Sequence, residues 1–508
     1  MDFLRKNRND IFLFLIITVL YFCIRLVALT IMPIFTDEAI YLRWAQIALH
    51  DSSWRFISLT DGKQPLFVWF AMIFMKFIQD PLFAGRLVSV FTGFFTLIGL
   101  WFLSLELFKS KKISFLSSIL YIFFPFAQVY DRMAMMDSMV GAFSIWALYF
   151  SVLLVRKARL EIAYTLGFII GGGILTKSTN FFSIYLLPFT LLLFDFGKEN
   201  FKKRLIKWVI LFFFSILIAY GLYGILRLSP LFSMVTTKNA TFVYPFSEWI
   251  SHPFTFFLGN LRGLTDWLIS YLGIAYAALI LISLIFVKKF FKSKVILLIY
   301  FILPFTALAL FGRVIFPRFI YFMSLFLLPL AAEGLDTVLT FSKKIIKYNK
   351  YYNVSGVLII FVIISYSALS CYELITNPKL APIATSDSNQ YLNNWSAGWG
   401  VNDTVNFLKQ EMSKGKIFVG TEGTFGLMPL SLELYLVDNK NITIKGYWPI
   451  NEFPNEALSY SKKMPAYFIF YQPQHQIISS EFPIKLIYEK RAGDSNYFYR
   501  MYKIIPRS

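Results

Sequence analysis

Residues 84–112 read AGRLVSVFTGFFTLIGLWFLSLELFKSKK. From Ala84 to Phe108 the only charges are Arg86 and Glu106, and lysines follow at once. A bilayer's hydrocarbon core takes about 20 helical residues, so this stretch predicts a membrane-crossing helix with a basic anchor at one end. Working outward, comparable apolar stretches recur at Ile11–Met32, Ile113–Tyr130, Ser138–Val155, Ile162–Leu175, Phe181–Phe194, Trp208–Leu228, Leu264–Val287, Val295–Phe311, Phe319–Asp336 and Val354–Glu373. With Ala84–Phe108 they make about eleven transmembrane helices. The first is too long for a cleaved signal peptide, and no small-residue cleavage site follows it. Over all 508 residues, 57% are hydrophobic, 19% aromatic and 15% charged. The charged share of a soluble domain is roughly 25%, which argues against an ordinary soluble enzyme.

The net charge of +20 could signal nucleic-acid binding, but its distribution says otherwise. Residues 375–508 carry 14 Lys and Arg against 11 Asp and Glu, so a net +17 lies in the apolar part. There the basic residues cluster as Arg5-Lys6-Arg8, Lys109-Lys111-Lys112, Arg156-Lys157-Arg159, Lys198 to Lys207, Lys288 to Lys294 and Lys343 to Lys350. An eleven-span topology puts every cluster on one side, which the positive-inside rule makes cytoplasmic. Cys23 and Cys371 sit in apolar runs and make no disulfide framework.

The predicted outer face receives Pro33 to about Phe83, Ser229–Gly263 and everything after Glu373. Glu38–Ala45 and Pro65–Ile78 read as helices lying in the interface. Residues 1–374 form the transmembrane domain. Residues 375–508 read as a small α/β extracytoplasmic domain, with a helix at Thr404–Met412 and strands at Lys416–Val419, Ile442–Tyr447, Tyr467–Tyr471, Ile484–Glu489 and Tyr497–Tyr502. The glycine-rich loop Gly420–Gly426 is a strand-to-helix turn or part of an acceptor site.

Charged groups at the outer ends of spans are the candidates for chemistry, because a charge in lipid is costly without a wet cavity or a partner. They are Asp37, Glu38, Lys63, Arg86, Asp131, Arg132, Asp137, Lys177, Arg313 and Arg318. Each has a structural alternative. Asp37 and Asp137 could cap helices, a placement worth about 1 kcal/mol. Lys63, Arg86 and Lys177 could snorkel to headgroups. Asp131 and Arg132 could pair at a turn, and Arg313 and Arg318 could anchor to lipid phosphates. His252 could be structural or a metal ligand.

Read in order, these residues carry a resemblance. Phe35-Thr36-Asp37-Glu38-Ala39-x-Tyr41-x-x-Trp44-Ala45 is followed by Gly62-Lys63-Gln64-Pro65-Leu66-Phe67-x-Trp69 and Gly85-Arg86-Leu87-Val88-Ser89. Asp131-Arg132-Met133-Ala134-Met135-Met136-Asp137, Leu175-Thr176-Lys177-Ser178 and Pro317-Arg318-Phe319-Ile320-Tyr321 continue it. This ordered set resembles the lipid-dependent glycosyltransferases of the GT-C fold, in the branch of protein O-mannosyltransferases and lipid A aminoarabinose transferases.

The resemblance implies an all-α polytopic membrane domain and a sugar donor linked to a polyprenyl phosphate. It implies a hydroxyl or amine acceptor on a protein, a glycolipid or a polysaccharide, and transfer at the extracytoplasmic face of the plasma (inner) membrane. Asp37 would be the base, in a single inverting displacement. Glu38 and Asp137 would be the accompanying acids, with Asp131 and Arg132 in support. Lys63, Arg86, Lys177, Arg313 and Arg318 would hold the donor phosphate, since a departing phosphate anion needs cationic stabilisation.

The residues point to no definite cofactor, and a divalent metal stays open with His252 as candidate ligand. Gly62 stands where the aminoarabinose branch carries a metal-binding acid. A transporter or flippase of lipid-linked sugars is the alternative, although such proteins place charges at mid-bilayer and often in duplicated halves. A polysaccharide ligase or polymerase is chemically close but lacks the acidic pair and the trailing domain.

Overall fold

The structure, a computed structural model, describes residues 8–345 and 349–506. Arg5, Lys6 and Lys347 of the basic clusters lie outside the described residues. Every expected span is occupied by helix: α1 (Arg8–Leu26), α4 (Pro81–Phe108), α5 (Lys111–Ile122), α7 (Met136–Lys157), α8 (Leu160–Thr176), α9 (Ser178–Leu193), α10 (Phe201–Gly224), α12 (Phe257–Ile285), α13 (Phe291–Phe311), α14 (Arg318–Lys344) and α15 (Asn349–Thr376). Seven of these are long and apolar enough to cross a membrane by length and composition. The expected helix at Ile113–Tyr130 is broken. Pro125 starts a separate short helix, α6 (Pro125–Tyr130), because proline cannot continue the ladder of the preceding turn. The expected short helix at Phe181–Phe194 alternates 3₁₀ and α turns, with Pro188 inside it.

Side-chain contacts gather four of the six basic clusters at one end of the bundle. Lys112 pairs with Asp336 at 2.9 Å, Lys289 reaches the same Asp336 at 3.7 Å, and Arg156 pairs with Glu106. Leu160, beside Arg159, shares a surface groove with Lys203 and Lys207. The opposite end carries α2 (Thr36–His50), α3 (Leu66–Met75) and α11 (Met234–Phe242).

The expected interfacial helix at Glu38–Ala45 is instead buried on most of its surface. Helix α17 (Leu427–Leu436) of the C-terminal domain covers it. Arg43 Nε meets Glu433 Oε2 at 2.9 Å, and Gln46 Nε2 donates to the Leu434 carbonyl at 3.3 Å. One apolar core runs through both parts, joining Ile40 and Trp44 of α2 to Leu427 and Leu432 of α17.

The C-terminal domain holds five strands: β1 (Ile417–Glu422), β2 (Ile442–Tyr447), β3 (Ala466–Phe470), β4 (Ile484–Arg491) and β5 (Phe498–Ile504), in the order β2-β1-β3-β5-β4. Strand β1 runs parallel to β2 and β3, while β5 is antiparallel to β3 and β4. β1 and β3 are fully buried, as strands covered on both faces must be. Helix α16 (Val401–Met412) leads into β1.

Candidate active site

At the end of the bundle away from the basic clusters, a cavity of about 460 Å³ opens between α2, α7, α9, α11, α13 and α14. Its polar end is lined by Asp37, Tyr41, Lys63, Asp137, Lys177, Lys238 and Arg318. Its apolar end is lined by Phe181, Phe182 and Tyr185 of α9, Pro304, Leu308 and Phe311 of α13, and Phe319 and Phe322 of α14. Four cations face two carboxylates, which leaves the polar end with surplus positive charge.

Asp37 is the centre of this arrangement. Arg318 Nη1 donates to its Oδ2 at 2.7 Å, and Lys63 Nζ lies 3.6 Å from Oδ1. Burial by itself would raise the Asp37 carboxyl, but Lys63 and Arg318 override it and hold the group well below the usual carboxylate range. Lys63 is held above its ordinary value against the opposing pull of burial, by Asp37, Tyr41 and Asp61. Burial and Asp37 push the Tyr41 hydroxyl up to about 12.

A second pair stands beside the first. Lys177 Nζ reaches Asp137 Oδ1 at 2.7 Å and lies 4.9 Å above the Phe319 ring. Burial, with Arg318 and Lys63 nearby, leaves the Lys177 ammonium below its ordinary value. The cap alternatives do not hold: Met135 occupies the cap position of α7, and Glu38 rather than Asp37 closes the first turn of α2.

The remaining expected residues are placed elsewhere. Glu38 and Arg86 are fully buried and paired to each other, so neither lines the cavity as a catalytic acid or a phosphate ligand. Arg86 donates to both Glu38 oxygens at 2.8 Å and to the carbonyls of Leu29, Met32 and Pro33. Glu38 also accepts from the backbone N–H of Phe35 and of Ala134. Asp131 does not pair with Arg132. It pairs with Arg25 at 3.1 Å and accepts from Tyr121, Tyr321 and Ser138, while Arg132 donates to the carbonyls of Ile24, Arg25, Val27 and Ala28. Arg313 is half-exposed on the rim, 4.0 Å from Glu248. His252 stacks edge-on against Tyr244 and Phe256.

Two residues of the site escaped the sequence reading. Lys238 of α11 pairs with Asp61 at 2.6 Å, and Asp61 lies 3.5 Å from Lys63, so the charge network extends into the loop above the cavity. A lysine in a predicted outer loop runs against the positive-inside bias, which was the available signal. Gly62 lets the two elements meet. Its φ is +63°, and a Cβ there would fall 2.2 Å from the Met234 carbonyl oxygen. Position 62 therefore has no room for a metal-binding acid, and the described residues hold no cluster of three or more His, Cys, Asp or Glu.

The structure is similar to that of ArnT from Cupriavidus metallidurans bound to undecaprenyl phosphate, with a TM-score of 0.61 over 98% of both chains at 12% identity. The apo state of that protein gives 0.59 over 98% of both chains at 14% identity. The chain has the GT-C fold. The archaeal oligosaccharyltransferase AglB from Archaeoglobus fulgidus, solved with an inhibitory peptide and a dolichol-phosphate, gives 0.50 at 14% identity over 85% of this GT-C chain and 64% of its own. Residues 62–223 match the family described as dolichyl-phosphate-mannose-protein mannosyltransferase. No curated protein sequence matches. The resemblance read from the ordered motifs is borne out, and the GT-C chain is a multi-pass membrane protein with a C-terminal sheet domain.

Proposed function

We propose that the chain is an integral membrane glycosyltransferase that moves a sugar from a polyprenyl-phosphate donor to an acceptor at the extracytoplasmic face, with its N-terminus cytoplasmic and its C-terminal domain outside. The observation that carries this reading is the two-ended cavity. Apolar side chains of α9, α13 and α14 in its lining suit the first isoprene units, and Lys63, Lys177 and Arg318 in the same lining suit the phosphate. The flippase alternative calls for charge at mid-bilayer, whereas the cavity's charges sit together at its polar end.

The step is a single displacement. The acceptor oxygen or nitrogen bonds to the anomeric carbon, its proton passes to an Asp37 oxygen, and the bond from that carbon to the phosphate oxygen breaks. Polyprenyl phosphate leaves as an anion, stabilised by the cations already in place. One carboxylate base acting on the opposite face inverts the anomeric configuration.

A carboxylate held as low as Asp37 is a poor base while Arg318 and Lys63 face it. A bound phosphate draws both cations toward itself, and the carboxylate then recovers the basicity that proton transfer needs. The donor thus arms the base. The test is turnover of a panel of radiolabelled polyprenyl-phosphate sugars by protein in nanodiscs, with a membrane extract as acceptor. The expected result is consumption of one donor that Asp37→Asn lowers by about 10² to 10⁴. Equal consumption by the variant would remove Asp37 from the chemistry.

A further inference from the structure

Between α15 and α16 the chain crosses back over the bundle, and one carboxyl group there has no role in the cavity. Asp387 lies in the single turn Thr385–Ser388 and is fully buried. Its Oδ2 accepts from the Tyr130 hydroxyl of α6 at 2.7 Å and from the Tyr271 hydroxyl of α12. Its Oδ1 has no hydrogen-bond partner among the described residues. An acid buried this way costs free energy, so the contacts it makes must matter to the fold or the site.

The same segment grips the residues that lead into the helix carrying the candidate base. Tyr391 hydrogen-bonds Tyr130 at 3.2 Å and packs edge-on against Phe35 at 4.9 Å between ring centres. Further on, Thr36 N–H donates to the Ser396 carbonyl at 3.1 Å and Gly398 N–H to the Ile34 carbonyl at 2.8 Å, forming an antiparallel bridge. A Cβ at Gly398 would stand 2.6 Å from the Ile34 carbonyl oxygen, so the two strands are in direct backbone contact. Asp37 follows Thr36 immediately. On the other side, Arg318 lies within electrostatic reach of both Asp387 and Tyr391.

We infer that Asp387 is a positioning residue, clamping the 385–398 segment so that Asp37 and Arg318 are held in register at the cavity. This rests on the glycosyltransferase reading for its effect on rate, but the clamp itself can be measured without turnover.

Burial pushes the Asp387 carboxyl up to about 7, against the lowering effect of Tyr271, Tyr130 and Arg318 and with Asp137 also raising it. The groups facing it are therefore Tyr130, Tyr271, Tyr391, Arg318 and Asp137. The fold favours the neutral acid. Its contribution is complete below the ordinary carboxylate range and is lost as pH rises through about 7. Asp387→Asn imitates the neutral acid and keeps an oxygen for the tyrosines. Asp387→Leu removes the clamp.

Hydrogen exchange at Ile34–Thr36 and Ser396–Gly398 reads the clamp directly. At pH 4 we expect Asp387→Leu to exchange there about tenfold faster than the parent while remaining folded. Asp387→Asn should match the parent at pH 4 and, after correction for intrinsic exchange, hold its protection to pH 7, where the parent has lost it. Donor turnover per folded molecule should fall about tenfold in kcat for Asp387→Leu, with KM within twofold.

Parent-like protection in Asp387→Leu would overturn the inference. So would a parent-like pH dependence in Asp387→Asn, or unchanged kcat in a turning-over enzyme. A parent that turns over no donor would instead defeat the functional reading, and exchange would still decide the clamp.

Discussion

Asp37 and Glu38 are neighbours in the first turn of one helix, and their carboxyl groups face different worlds. Glu38 is sealed, with both oxygens engaged by Arg86 and by two backbone N–H groups, and its partner spends its remaining donors on three carbonyls. Asp37 keeps part of its surface in the cavity, and its partners Arg318 and Lys63 are themselves partly open. A saturated buried pair fixes geometry and has nothing left to offer a ligand. An incompletely satisfied cluster with surplus positive charge can trade partners when an anion arrives. The first kind braces the turn on which the second is displayed.

The sharpest way to break this contrast is to neutralise each acid in turn. Asp37→Asn should cost about 10² to 10⁴ in donor turnover while the protein remains folded in detergent. Glu38→Ala should do the reverse. It leaves Arg86 charged and buried without its partner, and about 3–5 kcal/mol of stability should be lost, read as a large drop in unfolding temperature and little folded protein. If Glu38→Ala were stable and merely inactive, the brace would have to be counted as part of the site.

A smaller effect is expected at the second pair. Lys177→Met should lower kcat/KM for the donor about 10- to 100-fold, in line with loss of one charge-assisted hydrogen bond of about 1.5–3 kcal/mol, and Lys177→Arg should restore part of it. Unchanged kcat/KM in Lys177→Met would confine that lysine to balancing Asp137.

The smallest effect concerns pH. Because the folded-state pKa of Asp37 is depressed, its contribution to stability is present above the ordinary carboxylate value near 4 and is lost as pH falls below it. The difference in unfolding temperature between the parent and Asp37→Asn should therefore be flat from pH 5 to pH 8. A difference that fades across that window would mean that Lys63 and Arg318 do not hold the carboxylate.

Much of this was legible in the chain alone. Lipid removes the alternatives for an apolar run of about 20 residues, so the helices appear where hydropathy places them. The lysines and arginines sort to one end for a similar reason. Period-two alternation placed the C-terminal strands to within a few residues of β1 to β5.

The candidate site was legible as a set of residue types, with Asp37, Lys63, Asp137, Lys177 and Arg318 meeting as the ordered motifs implied. Its internal assignments were not. Glu38 and Asp37, or Arg86 and Arg318, are the same chemistry in one dimension. Which side of a helix turn faces a cavity and which faces a neighbouring helix is set by packing.

Asp61 and Lys238 are far apart in sequence, and Gly62 was read for what it lacked rather than for the close approach it permits. Asp387 gave no sign, because its partners come from helices 257 and 116 residues away. Periodicity and charge bias are local quantities and survive in one dimension. Burial, pairing and the shift of a carboxyl group depend on atoms brought together across the chain, and those were decided by the tertiary structure.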